Sequence, residues 1–354
     1  MDFELTDEQT MLRDVSRDML AVNCAPELVR KIALEHTGVD KTLWQQGAAL
    51  GWPGLAVPEE LDGSAQGLVE LCLVAEELGR AVAPGPFADT ALVAAIAGRA
   101  GPDAQVISTR LASGSVSASV GLIGTVIATK SRGGYSLQGT LRFVQAAAGA
   151  EWILVLAHDG DTELAILVPS ADTTVVRRST IDQSRSWYDV HLTDVFAAET
   201  SVVATGLEVR HVIDSATVLI AADALGVGER LLEMTVDYAQ SRQQFNRPIG
   251  SFQAVKHKIA DMAASVLGVR AATYYAAMNL DERTPDASKY ASVAKAFASE
   301  EISRVAGEAL QIHGGIGFTW EHDLHLYLRR AKVDEIVFGD ASVHNDRVLH
   351  LITG

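Results

Sequence analysis

Basic residues are scarce in this chain. Only 29 Lys and Arg stand against 45 Asp and Glu, for a formal net charge of −16. A nucleic-acid partner needs a basic face to neutralise phosphates, so none is expected, and an anionic membrane surface is disfavoured in the same way. The excess of acid reads as solubility. Cysteine is scarcer still. Cys24 and Cys72 lie among apolar residues without metal spacing, which reads as buried thiols in a reducing cytoplasm. Met1-Asp2-Phe3-Glu4-Leu5 lacks the basic start and apolar core of a signal peptide. No apolar run approaches the roughly 20 residues of a membrane span. Metal ligands are lacking too, because His313 and His322 have no carboxylate or Cys spacing beside them.

What is present is apolar and long. At 354 residues and 48% hydrophobic content the chain exceeds one core, and nothing in it suggests disorder. Residues 1–100 read as a helical domain, opened by a Thr6 N-cap with acidic first-turn residues. Leu55 to Gly63 reads as a short extended piece with a turn. Residues 101–204 read as a β domain of antiparallel strands: Val120–Thr129, Tyr135–Gln145, Trp152–Ala157 and Glu163–Val168 are β-branched runs punctuated by Gly-Gly, Asp-Gly and Asp-Gln-Ser. Residues 205–354 return to helix. Glu208 to Ser241 makes one helix of roughly 50 Å. Others follow near 252–280, 286–312 and 320–352, the last capped by Thr319 and begun by Trp320 and Glu321. Short connections suggest an antiparallel four-helix bundle.

Two C-terminal elements carry chemistry. One is Ser241-Arg242-Gln243-Gln244-Phe245-Asn246-Arg247-Pro248-Ile249-Gly250-Ser251-Phe252-Gln253. The other is Gln311-Ile312-His313-Gly314-Gly315-Ile316-Gly317-Phe318. Glycines after a helix allow backbone closed to other residues and close approach of a ligand. An Arg at a helix end can clamp a diphosphate through paired charged hydrogen bonds, and an aromatic beside it can pack on a cofactor. Taken singly, Arg242 also reads as a dipole-facing Arg, Phe245 as a core Phe and Gly314-Gly315 as a simple helix end.

Together the pair resembles the flavin elements of the acyl-CoA dehydrogenase family. The order of helices, β domain and bundle resembles that family over the whole chain. Val57 to Gly63, Glu76-Glu77-Leu78-Gly79-Arg80 and Tyr135-Ser136-Leu137-Gln138-Gly139-Thr140 are weaker matches to its N-terminal half. The resemblance implies an α+β fold: N-terminal helices, a central antiparallel β-barrel or sandwich, and a C-terminal four-helix bundle. It implies FAD shared at a subunit interface, with Arg242, Phe245, Gln253, Gln311, Gly314 and Gly315 facing the cofactor of a neighbour. Asn246 stands where the family has Gly, which leaves room for a different backbone.

Against the same family, the chemistry is missing. Dehydrogenation needs a carboxylate over the substrate α-carbon while hydride leaves to the flavin. Aligned on Arg329, Ala331, Lys332 and Gly339, the usual position of that base is Phe338. The other position, on the long helix, is Ala216, followed by Thr217. The flavin cradle expected within Ser108–Ile123 lacks its motif, and the flavin-contacting strand reads Phe143-Val144-Gln145. The local pocket is expected to be vacant or refilled by Phe338.

Some bacterial relatives, including ones acting on steroid side-chain CoA esters, are heterotetramers in which one subunit lacks the base. This chain resembles such a subunit. The resemblance then implies a partner carrying the catalytic Glu, an acyl-CoA substrate and an electron-transfer flavoprotein as acceptor. Two alternatives remain at this stage. One is a self-sufficient homomer with a displaced base, Asp340 before Asp214 or Glu335, although Asp340 also reads as a helix N-cap. The other is a flavin-free scaffold.

Overall fold

The computed structural model describes residues 4–35 and 38–353. Met1–Phe3, read above as unlike a signal peptide, lie outside the described residues. Helix α1 (Asp7–Asn23) starts on a capping box: Thr6 Oγ1 accepts from the Gln9 N–H, and Gln9 Oε1 accepts from the Thr6 N–H. Helices α2 (Pro26–Glu35), α3 (Lys41–Ala49), α4 (Leu68–Arg80), α5 (Phe87–Gly98) and α6 (Pro102–Ala112) follow. Residues 55–63 are not extended as expected; they coil through a 3-10 turn at Glu59–Leu61.

Helix α6 lies where the β domain was expected to begin. Pro102 sits in its first turn, and Ala104, Ser108, Leu111 and Ala112 are its buried face, a helical spacing that the small residues disguise. Ser108, expected in a strand-loop, is therefore on a helix, and its hydroxyl donates to the Ala94 carbonyl at 2.7 Å.

The sheet comprises β1 (Ala118–Gly121), β2 (Ile123–Ser131), β3 (Gly134–Gln145), β4 (Trp152–Asp159), β5 (Thr162–Pro169), β6 (Thr174–Arg178), β7 (Trp187–Ala198) and β8 (Val202–Thr205). Its order is β6-β7-β3-β2-β4-β5-β8, with β1 pairing β4. It is mixed rather than purely antiparallel. β1 runs parallel to β4 with Ala118 opposite Trp152, and β2 is parallel to β4 at Ile127–His158. The β2–β3 hairpin supplies the long connection that a parallel pair requires. Alternation in sequence does not encode strand direction, so this was not legible.

The C-terminal part is built on α7 (Leu207–Ser241), α8 (Gln253–Asp281) and α9 (Ala287–His313), each close to its expected span. Against the expectation from apolar runs, α7 is long and apolar enough to cross a membrane. However, 83% of its most apolar stretch is buried, as befits the central helix of a bundle. α4 presses on α7 at two glycines: a Cβ on Gly226 would lie 1.8 Å from the Glu76 carbonyl, and one on Gly79 would lie 2.0 Å from that of Asp223.

The last helical region is broken. Thr319 does not start the next helix; it ends the 3-10 turn Gly314–Phe318, and its hydroxyl donates to Ile316 O at 3.0 Å. Helix α10 starts only at Leu324 and ends at Asp334, and α11 spans Ala341–Thr353. Between them Phe338 and Gly339 have φ of +60° and +107°, which no helix can continue through.

Candidate functional site: a closed pocket and an open helix end

Two separate constellations emerge. The first collects the residues expected to face a cofactor at one end of the bundle, where α7 and α9 finish and α8 begins. Arg242 is the C-cap of α7, with its N–H on Tyr238 O. The chain then makes a small hairpin, β9 (Gln243–Gln244) and β10 (Arg247–Pro248), with Arg247 opposite Gln244. Its two-residue turn is Phe245-Asn246, with φ of +52° and +60°. A type I′ hairpin turn requires positive φ at both positions. Asn tolerates it, so the exchange of Gly for Asn246 leaves the left-handed conformation in place. Phe does not adopt it readily, and here it is a surface residue rather than a core Phe: Phe245 is 87% exposed. The ring rests edge-on against Phe252, whose face also receives the Arg247 guanidinium at 4.0 Å.

Gln253 is the first residue of α8 and is exposed. Gln311 is exposed on the last turn of α9. Gly314 ends α9 with φ +62° and ψ −141°, a region essentially reserved for glycine, and a short 3-10 turn runs on to Phe318. Gly315 needs no such freedom, so only one glycine of the pair is demanded by the backbone. Among the described residues the Arg242 guanidinium has no ion-pair partner. His313 and His322 face one another edge to face at 5.0 Å.

The second constellation lies where the family's base would stand. Phe338 and Ala216 line one cavity of about 30 Å³. Phe338 packs with Trp187, Val333, Val337 and Ile220. Its backbone is fastened from two sides. His344 Nε2 donates to Phe338 O at 3.0 Å. The buried Lys295 donates to Gly339 O at 2.6 Å, Ser299 Oγ at 2.8 Å and Glu335 O at 3.1 Å. Burial drives the Lys295 ammonium down to about 8 and the His344 imidazole down to about 4, so His344 is neutral. Thr217 turns back on its own helix, donating to Ile213 O at 2.7 Å.

Sequence reasoning missed what closes this cavity. Arg330 grips Asp223 with two bonds of 2.8 and 2.5 Å, and also donates to Ala83 O at 2.8 Å and Ser184 Oγ at 3.2 Å. Arg185 donates to Asp182 at 2.7 Å and to Asp334 at 2.6 Å. All six side chains are buried. Burial pushes the Asp334 carboxyl well up, and neighbouring Asp223 adds to this against the pull of Arg185. Asp223 is also desolvated, but Arg330 outweighs that and holds it below the usual range. Arg185 is paired with Asp182 and Asp334, and Arg330 with Asp223. Buried charges persist only when paired in this way. The cluster ties the α4–α5 connection, the β6–β7 loop, α7 and α10 together at one point.

Asp89 is a further missed carboxyl on the cavity. Burial raises it to about 7, although the Val120 N–H donates to it at 3.2 Å. The carboxylates considered as displaced bases do not line the cavity. Asp340 accepts from the Val343 N–H at 3.0 Å and so caps α11. Asp214 is held by Arg347 at 2.6 Å and Ser288 at 2.5 Å. Glu335 bonds Lys332 at 3.0 Å and the Ser303 hydroxyl.

FAD therefore fits this chain unevenly. A cavity of about 30 Å³ has room for little more than one water and none for a tricyclic ring. The open helix end, with an unpaired Arg242, the Gln253 amide and accessible backbone at Gly314, suits a diphosphate.

N-terminal helices, a central mixed sheet and a C-terminal bundle of long helices are the architecture of the acyl-CoA dehydrogenase fold. Residues 6–114 match the acyl-CoA dehydrogenase N-terminal domain and residues 209–351 its C-terminal domain. The chain belongs to the acyl-CoA dehydrogenase family. It is 34% identical over 331 residues to acyl-CoA dehydrogenase IpdE2 of Mycobacterium tuberculosis, covering 92% of this chain and 91% of that one. Among solved structures, the ChsE4-ChsE5 complex from Mycobacterium tuberculosis superimposes with a TM-score of 0.94 at 30% identity, over 99% of both chains. The Tcur3481-Tcur3483 steroid ACAD gives a TM-score of 0.92 at 28% identity, over 98% of both chains.

Proposed function

We propose that this chain is the base-lacking subunit of a heteromeric acyl-CoA dehydrogenase. One observation carries the proposal: both base positions, Phe338 and Ala216, open on a cavity of about 30 Å³ sealed by buried ion pairs, while the cofactor-facing residues stand exposed elsewhere. A second, dehydrogenase-like subunit supplies the catalytic Glu and the ring-binding half of the site. This chain supplies Arg242, Phe245, Gln253, Gln311, Gly314 and Gly315 to the same FAD across the interface. Held there, FAD would supply a hydride acceptor for the β-carbon of an acyl-CoA thioester, with an electron-transfer flavoprotein as the expected onward acceptor. Similarity to a solved structure described as a steroid ACAD supports a steroid acyl group as substrate, read here as a side-chain CoA ester. The free, buried thiols of Cys24 and Cys72 fit a reducing cytoplasm.

The test is the flavin-to-protein ratio of the chain purified alone and of the chain co-expressed with a dehydrogenase-like partner. The expected result is colourless protein alone and a yellow complex. Near-stoichiometric FAD on the isolated chain would overturn the proposal in favour of a homomer. Absence of flavin from every complex would leave only a scaffold.

A further inference from the structure

The hairpin of Arg242 and the turn of Gly314 come from different helices, so something must hold them in register. Tyr238 lies on the last turn of α7, and its carbonyl accepts the Arg242 N–H at 2.8 Å. Its ring stacks on His313, with centroids 4.5 Å apart and planes 19° from parallel. His313 is the last residue of α9 and directly precedes Gly314, whose N–H bonds Leu310 O. Each partner of the stack is thus one step along the backbone, covalent or hydrogen-bonded, from a cofactor-facing residue.

The His313 ring is itself fixed. It is buried, and Nδ1 donates to Ala309 O at 2.7 Å, because a carbonyl can only accept. His322 also meets the ring, edge to face. On the α7 side, the Ile249 N–H bonds Arg242 O at 2.8 Å and closes the base of the hairpin. Gly250 brings the returning strand so near α7 that a Cβ there would lie 3.0 Å from Ala239 O. Both elements are locally stiff, and the ring pair is where they meet.

We infer that Tyr238 and His313 are positioning residues, a stacked joint that sets the spacing between the Arg242 hairpin and the Gly314 turn and so tunes this chain's hold on a shared FAD. The inference rests on the proposed function. The joint touches no reacting atom; it acts through Arg242 and Gly314.

The experiment uses the flavin-containing complex with its co-expressed partner, stripped of FAD and titrated with FAD. Three variants are compared: Tyr238→Ala, Tyr238→Leu, which keeps apolar bulk without a ring, and Tyr238→Phe, which keeps the stack. Loss of a stacked pair is expected to raise the Kd for FAD roughly tenfold in Tyr238→Ala and Tyr238→Leu. Tyr238→Phe restores the wild-type Kd, and kcat at saturating FAD is unchanged in all three. The inference falls if Tyr238→Leu binds FAD like wild type, if Tyr238→Phe is as impaired as Tyr238→Leu, or if both non-aromatic variants fail to assemble. A wild-type complex without flavin would instead remove the functional proposal, and this inference with it.

Discussion

Phe338, on the turn before α11, and Ala216, on α7, face the same cavity of about 30 Å³. Restoring a carboxylate at one of them does not restore the site, because the space for a flavin ring and a thioester is already taken. Phe338→Glu is therefore expected to give no acyl-CoA-dependent flavin reduction. The new carboxylate would also be placed against Trp187, Val333 and Val337, an apolar surround that disfavours its charge. Turnover by that single variant would show that the cavity opens on demand.

Arg330 and Asp223 make the closing pair. Removing the cation in Arg330→Met leaves a buried carboxylate facing the desolvated carboxyl of Asp334, and the Ala83 carbonyl loses its donor. Breaking a buried pair from one side costs about 3–5 kcal/mol. Replacing both members, as in Arg330→Met with Asp223→Leu, is expected to cost less than the single change. Chemical denaturation of the three proteins separates these outcomes. A single-variant loss below about 1 kcal/mol would mean that water reaches the cluster.

Asp89 gives the fold a pH signature. Its folded pKa, raised by burial from 3.8 to about 7, means that the folded state holds a proton that the unfolded state releases. Between those values the folded state binds more protons, so stability falls as pH rises, and it levels off above about 7. The full span is on the order of 4 kcal/mol. Asp89→Asn is expected to flatten this slope, read as the difference between the wild-type and variant denaturation midpoints from pH 4 to pH 8. Parallel curves would place Asp89 in contact with solvent.

Asp340 accepts the Val343 N–H and caps α11. Asp340→Ala is expected to cost about 1 kcal/mol, and Asp340→Asn much less, because Asn caps equally well. Neither is expected to alter turnover of a complex. Abolished turnover in Asp340→Asn with stability intact would make Asp340 the displaced base.

The sequence revealed the parts of this molecule whose residue type is dictated locally. Gly314 is written by its backbone angles, Thr6 by its cap, and the long helices by their apolar period. The Ser241–Gln253 element stood out as a candidate cofactor element, but the hairpin it makes at Phe245 was not read from it. The ion cluster was not legible. Arg185 meets Asp334 across 149 residues and Arg330 meets Asp223 across 107, and no period relates them. The available hint was Asp223 alone inside an Ala-rich stretch. Asp182 read as a turn residue, which it also is: its carboxylate takes the Ser184 N–H at 2.8 Å. The parallel β1–β4 pair stayed hidden because β1 is only four residues long and runs on in sequence into β2, so the two read as one strand.

Phe245 carries the last prediction, because its conformation and exposure oppose each other. A bulky residue with φ +52° is strained, commonly by about 1–3 kcal/mol, and at 87% exposure this ring recovers little of that by burial in the chain. Its partial compensation is the edge contact with Phe252. Phe245→Gly relieves the angle, loses that contact and adds freedom to the unfolded chain, so the isolated chain is expected to lose no stability and to gain up to about 1 kcal/mol. The complex is expected to behave oppositely, retaining less FAD through gel filtration than the wild type. A residue kept in place for its own fold would show the reverse, with a less stable chain and undiminished flavin, and Phe245 would then be part of the hairpin rather than part of the cofactor site.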